Sequence, residues 1–303
     1  MKKFIKITCL CLALVLFAMM ALASSSDEGE QKTIGSGNAG NGNAAADGNG
    51  SAVVKEKVTI EEQVLFTWNE VTVTAKEYVE DSIWGAGIKV LIENNSAKDV
   101  GIGCNAVIVN NYMITDLFSA TVAAGKKSNE TIYLMSSDLE AAGIENVGQI
   151  ELYFHVFDGD SYMTLYDAEL VTIKTSAYEK MDTIPNDMGT ELYNGNGIRI
   201  VGKYVEEGTF WGTAVLLYIE NTSGQNVTVS CEDMSINGFM VSPVFYSNIY
   251  SGKMALDEIT VFQSDLEENG ITSVDEIELK FHIYNSDTYY TIVDTEPITF
   301  TAK

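Results

Sequence analysis

Histidine is almost missing from this chain: His155 and His282 are the only two in 303 residues. Cysteine is nearly as scarce, with four in all, of which Cys9 and Cys11 lie in the N-terminal segment and only Cys104 and Cys231 in the body. A metal centre built on nitrogen and sulfur needs about three or four converging ligands, and neither histidine has a cysteine or second histidine beside it, so none is expected. A Ser–His–acid or Cys–His centre needs a base next to its nucleophile, and no G-x-S-x-G elbow occurs, so the expectation is a protein that is not an enzyme. Basic residues are also few, 18 Lys+Arg against 43 Asp+Glu, for a formal net charge of -25. That field repels phosphate backbones, and the lysines form no stripe with aromatic residues between them, which excludes nucleic acid as a partner.

One long apolar run is present, from Ile7 to Met20, preceded by Lys2, Lys3 and Lys6 and followed by Ala21-Leu22-Ala23 and three serines. The order of charge, apolar run and A-x-A marks residues 1–23 as a secretory signal peptide. Its short apolar run makes an uncleaved membrane anchor the lesser alternative. Cys9 and Cys11 sit at the start of the run rather than its end, which argues against a lipoprotein. Cleavage would remove three lysines and leave a charge of -28. Such an acidic chain is expected outside the cytoplasm, where charge keeps it soluble. Residues 24–57, rich in Ser, Gly, Asn, Ala and Asp, have little to bury and read as a disordered linker.

Beyond that linker the sequence repeats itself. Val71–Thr175 aligns without a gap on Ile198–Ala302, with roughly a third of the positions identical, among them Cys104/Cys231, Gly125/Gly252, Gly143/Gly270, Phe154/Phe281 and His155/His282. The organisation expected is a first module over 58–175, a connection over 176–190 and a second module over 191–303. Within each module the period is two. Ile88, Val90 and Ile92 match Val215, Leu217 and Ile219, and Ile150, Leu152, Phe154 and Val156 match Ile277, Leu279, Phe281 and Ile283. These rows point inward. Lys89/Leu216, Leu91/Tyr218, Glu151/Glu278, Tyr153/Lys280, His155/His282 and Phe157/Tyr284 lie on the opposite, outward faces. Cys104 and Cys231 fall on inward rows of separate modules, where no disulfide is expected to join them.

The pairs Asn110-Asn111 and Asn237-Gly238 predict tight hairpins with two residues at positive φ. Asp158-Gly159-Asp160 and Asn285-Ser286-Asp287 mark the next turns. Ser137-Asp138-Leu139-Glu140 and Ser264-Asp265-Leu266-Glu267 read as capping boxes of one short helix per module, stopped by Gly143 and Gly270. The fold expected is all-β: two tandem sandwiches, each with one short capped helix.

Three further patterns invite a site. Asp158-Gly159-Asp160-Ser161 with Asp167 could offer oxygen to calcium, but the second copy loses a charge there and the twelve-residue EF-hand spacing is missing; an ordinary polar turn is expected. Gly125-Lys126 and Gly252-Lys253 lack the other P-loop residues and read as turns before a strand. Trp84 and Trp211 open the long strand of each module and serve either to close the end of a core or to stack on a ligand. Among outward positions the candidate ligand contacts are Trp84, Tyr153, His155, Tyr162, Trp211, His282 and Tyr289. No cofactor is expected.

The runs Ile219-Glu220-Asn221-Thr222-Ser223, Ile236-Asn237-Gly238-Phe239-Met240-Val241, Gly252-Lys253, Ser264 to Ile271 and Ile277 to Ile283 resemble an immunoglobulin-like β-sandwich module. It is found in uncharacterised secreted or membrane-tethered proteins of Gram-positive bacteria of the Firmicutes type, often in tandem or behind a zinc ribbon. The resemblance covers both modules and is better in the second; the first departs at Asn111 and at Ala141-Ala142. It implies the fold and a cell-surface setting, and supplies no catalytic residue. The functional expectation is a binding or adhesion protein that contacts a protein or glycan at the cell surface, with two weak sites reinforcing one another. The alternatives are a spacer or scaffold module of the envelope with no ligand of its own and, remotely, an extracellular hydrolase.

Overall fold

The computed structural model describes residues 30–33, 57–81, 85–181 and 183–302. The signal peptide lies outside the described residues, as does Trp84. The described residues are all-β with two short helices, arranged as two β-sandwiches.

A short strand β1 (Glu30–Thr33) precedes the first module, which contains β2 (Gln63–Trp68), β3 (Val71–Asp81), β4 (Gly85–Asn94), β5 (Val100–Val109), β6 (Tyr112–Ile114), β7 (Ser119–Val122), β8 (Lys126–Met135), helix α1 (Ser136–Ala141), β9 (Gln149–Asp158), β10 (Thr164–Asp167) and β11 (Val171–Lys174). One sheet runs β2-β3-β4-β8. Facing it, β5 carries β6 and β7 along one edge and β9 along the other, and β10 and β11 follow on β9. The second module repeats the plan with β12 (Thr190–Gly195), β13 (Ile198–Thr209), β14 (Gly212–Asn221), β15 (Val227–Ile236), β16 (Phe239–Met240), β17 (Tyr246–Ile249), β18 (Lys253–Phe262), helix α2 (Gln263–Glu268), β19 (Glu276–Asn285), β20 (Thr291–Asp294) and β21 (Ile298–Thr301).

The alternating rows bury as their period requires. Ile88, Val90, Ile92, Ile150, Leu152, Phe154 and Val156 are fully enclosed in the first core, and Val215, Leu217, Ile219, Ile277, Leu279, Phe281 and Ile283 in the second. Cys104 and Cys231 are free thiols on the inner rows, and burial pushes both up in pKa, Cys231 to about 12. Asn110 and Asn111 both have positive φ, as do Asn237 and Gly238, and they make the two-residue hairpins. The Asn110 side chain also anchors the hairpin: its Oδ1 accepts from Gly148 N and Gln149 N while Nδ2 donates to Asn146 O, and Asn237 repeats this with Asp275, Glu276 and Ser273.

The capping boxes do not form. Each helix starts two residues earlier than that reading requires, at Ser136 and Gln263, so Ser137 and Ser264 sit inside the first turn and no side chain caps either N-terminus. Asp138 and Asp265 instead accept from Thr115 N and Ser242 N, tying each helix to the loop after β6 or β16. The glycine stops do form: Gly143 and Gly270 have positive φ, with Ile144 N donating to Leu139 O and Ile271 N to Leu266 O.

Within the stretch read as a linker, β1 pairs antiparallel with Tyr204–Glu207 of β13, and Lys32 forms an ion pair with Glu207. An extended segment needs no core of its own when an open strand edge supplies its hydrogen bonds.

The modules are welded together. β6 pairs in parallel with β18, Tyr112 opposite Met254 and Met113 opposite Ala255, so a sheet of each module merges into one eleven-stranded sheet. Tyr112 meets Tyr218 edge-on at 6.5 Å, and Tyr153 meets Tyr250 at 4.7 Å. The connection between modules straps the joint: Asn186 N donates to Tyr112 Oη at 2.8 Å, and Lys203 Nζ donates to Asn186 O and Oδ1. Three positions expected to face solvent are therefore covered. Tyr218 is fully buried, Glu151 nearly so, and Tyr153 is held by Tyr250, because each lies on a face against which the other module packs.

Candidate aromatic binding face

On the outer face of β9 the side chains of His155 and Phe157 stand in a row, with ring centroids 5.6 Å apart. Tyr162, from the turn that follows, stacks on Phe157 at 6.0 Å. The second module builds the same row from His282, Tyr284 and Tyr289, at 5.1 and 6.3 Å. Period two on one strand sets the first two rings side by side. The third is placed by the turn.

That turn is the same device in both copies. Asp158 Oδ1 accepts from Asp160 N, Ser161 N and Ser161 Oγ, and Asn285 Oδ1 accepts from Asp287 N, Thr288 N and Thr288 Oγ1. Hydrogen bonds from Ser161 and Asp160 hold the Asp158 carboxyl below the usual carboxylate range. Asp158 Oδ1 is thus engaged by the turn itself, and among the described residues no group of three or more His, Cys, Asp or Glu side chains is placed to hold a metal ion. Tyr162 and Tyr289 close the turns at φ 58 and 61. A bulky residue in the left-handed region is costly, and both copies keep it. The outcome is a tyrosine ring held 75% exposed in each module.

The two rows differ in depth. Phe157 and His155 lie against Gly101 and Gly103 of β5, and Phe157, which the period places on the outward face, is buried with 9% of it exposed. A Cβ on Gly101 would come within 2.0 Å of the Phe157 ring, and one on Gly103 within 2.6 Å of the His155 ring. Thr228 and Ser230 occupy the matching positions in the second module, so its rings stand higher. Sinking costs His155 its partner: Nδ1 is buried without a hydrogen bond among the described residues, and burial holds the imidazole below its ordinary pKa although Asp167 opposes this. Asp167 is engaged elsewhere, by Asn105 Nδ2 at 2.9 Å, a donor swung outward by a bulge in β5. Glu232 replaces Asn105 in the second copy and cannot donate, leaving Asp294 for His282, Nδ1 to Oδ1 at 2.5 Å.

Of the sequence candidates, the structure brings His155 and Tyr162 together, and His282 with Tyr289. Phe157 and Tyr284 complete the rows; the sequence places both on the outward face but does not mark them as ligand contacts. Tyr153 belongs to the joint between modules. Trp211 stands apart, exposed at the β13–β14 turn with Phe210 at 4.7 Å and Phe262 at 6.1 Å, outside the core it was expected to close. The turn there depends on Gly212, at φ 138 with the carbonyl oxygen of Val261 2.3 Å from any added Cβ. A groove of about 640 Å³ beside α2 is lined by Thr213, Leu266, Ile271 and Val274, and of its two acids Glu207 is paired with Lys32 and Glu267 accepts from Gln263 Nε2.

No known protein family matches the chain, and no curated protein does. Among solved structures it is similar to the Salmonella enterica SafA pilin in complex with the SafB chaperone, at 9% identity over 71% of this chain and 88% of that one, with a TM-score of 0.20. No helix among the described residues is long and apolar enough to cross a membrane.

Proposed function

We propose that this chain is a non-enzymatic, extracytoplasmic binding or adhesion protein, exported by its N-terminal segment, of the tandem immunoglobulin-like kind found on Gram-positive surfaces. Each module presents the exposed tyrosine that heads its aromatic row, Tyr162 or Tyr289, to a surface glycan or surface protein. The observation that carries this reading is the repetition of a strained, exposed tyrosine at the head of a ring row, in two modules whose cores do not need it. Flat rings about 5–6 Å apart suit the apolar faces of consecutive sugar rings, and aromatic contacts contribute about 0.5–1.5 kcal/mol each beyond area burial. Two such rows in one chain gain from avidity, which makes weak individual sites useful.

A pull-down on insoluble cell-wall polysaccharide and on surface-protein extracts, with wild type, Tyr162→Ala, Tyr289→Ala and the double variant, tests this. Each single change should weaken retention roughly tenfold, and the double should abolish it. Undiminished retention of the double variant would remove the rows from the binding surface. Absence of any partner for the wild type would favour the second reading, a spacer or scaffold module, which the sheet continued across the joint by β6 and β18 supports.

A further inference from the structure

The joint between the modules is made by surfaces that the repeat supplies twice. Strand β6 of the first module inserts against β18 of the second, Met254 N donating to Asn111 O at 2.9 Å, and Lys253 reaching Glu151. By the repeat correspondence, β16 is the second module's counterpart of β6, and β8 is the first module's counterpart of β18. Among the described residues both of these edges are open: β16 ends its sheet beyond β15, and β8 ends its sheet beyond β4. Coverage at the joint leaves Tyr112 5% exposed, whereas its uncovered counterpart Phe239 is 50% exposed and the next residue, Met240, 62%. The ion pair has its counterparts too, in Glu278 and Lys126, both exposed.

We propose that β16 of one molecule pairs in parallel with β8 of a second copy, repeating the internal joint between molecules, with Glu278 meeting Lys126 as Glu151 meets Lys253. Charge favours this occupant. Lys126 puts a cation on the β8 edge of a chain whose net charge is -25, beside Lys127, which is paired with Glu93 of β4, while Glu278 lies opposite Ser235, the residue that β16 pairs with. Phe239 then lies over Lys127, whose aliphatic stem and charge both suit an aromatic face. Such a contact is heterologous, joining different surfaces, and each added copy leaves the same two edges open, so the product is a head-to-tail chain rather than a closed dimer. It is weaker than the internal joint. Met254 and Leu256, which pack on the first core, are replaced by Lys127 and Asn129, and the Tyr153–Tyr250 contact by Lys280 and Ala123. Association is therefore reversible and concentration-dependent.

Sedimentation of the purified protein over a range of concentrations reads this without any ligand. The average mass should rise continuously past that of a dimer, and Lys126→Glu or Glu278→Lys alone should weaken association at least about tenfold. An equimolar mixture of the two single variants should regain it, because the Glu278→Lys edge of one variant meets the Lys126→Glu edge of the other, and the unchanged Glu278 and Lys126 meet at alternate joints. Recovery in the mixture also shows that both variants are folded. A wild type that stays monomeric, a mass that levels off at the dimer, or single variants that assemble as well as the wild type would overturn the proposal.

Discussion

Lys253 Nζ donates to Glu151 Oε2 at 2.5 Å across the joint, with the two side chains only 13% and 8% exposed. The same lysine donates to Asn111 Oδ1 at 3.0 Å, so the charge is shared between two hairpin-side acceptors of the first module. Removing one partner leaves the other buried and uncompensated, which costs about 3–5 kcal/mol. Glu151→Ala should therefore split a single calorimetric transition into two, one per module, whereas the Glu151→Leu, Lys253→Met pair should keep one. A single unchanged transition in Glu151→Ala would show that the pair does not hold the modules together.

The Tyr218 hydroxyl is buried at the same joint with no hydrogen-bond partner among the described residues. An unmet buried hydroxyl is a net cost, so Tyr218→Phe should raise stability by about 1 kcal/mol in denaturant unfolding, with the ring's packing against Tyr112 retained. A loss of stability would reveal a partner for the hydroxyl.

Asp257 on β18 is pushed up to about 6 by burial, helped by the charges of Glu258 and Asp138. A carboxyl that keeps its proton to higher pH in the folded state than in the unfolded state favours folding least above its folded pKa. The penalty is absent below pH ~4, grows between ~4 and ~6, and is constant above. Asp257→Asn should then stabilise the protein at pH 7 by about 2–3 kcal/mol and be neutral near pH 4, read from urea unfolding at both values. Equal effects at the two values would contradict a raised pKa at Asp257.

His155 titrates low because burial disfavours its cation and Asn105 occupies Asp167. Asn105→Ala frees Asp167 to turn to the ring, as Asp294 does to His282, and the His155 midpoint should move up in an NMR titration. For the wild type the sign is that of a depressed base. Stability contributed by the neutral ring is whole above the unfolded value near 6.5 and is lost as pH falls through the window below it. An unmoved midpoint in Asn105→Ala would mean that burial alone sets it.

Much of the fold is legible in the sequence because two copies of one module vote on each position. The rows Ile88-Val90-Ile92 and Ile150 to Val156 bury as their period demands, the Asn-led hairpins adopt positive φ, and Gly143 and Gly270 end their helices. The helices start two residues before the pattern places them, where Asp138 and Asp265 accept from Thr115 N and Ser242 N, partners more than twenty residues away that the local pattern does not contain. The candidate site is legible only in part. Nothing local marks Phe157 or Tyr284, aromatic residues on an outward row, as belonging to a site, and Tyr162 is brought back beside Phe157 by a turn conformation that composition does not announce.

The sequence by itself determined the repeat, the strand faces and the turns, because period two, asparagine at positive φ and glycine stops act within a few residues. Only the tertiary structure decided what covers each outward face. Glu151 and Glu278 are the same residue at the same repeat position, yet one is buried beside Lys253 and the other is exposed. An alternating pattern states which side of a strand is apolar, while the neighbour that arrives on the other side is set by contacts about a hundred residues away in the chain. That is also why Tyr153 pairs with Tyr250 where its counterpart, Lys280, faces an exposed aspartate, Asp233.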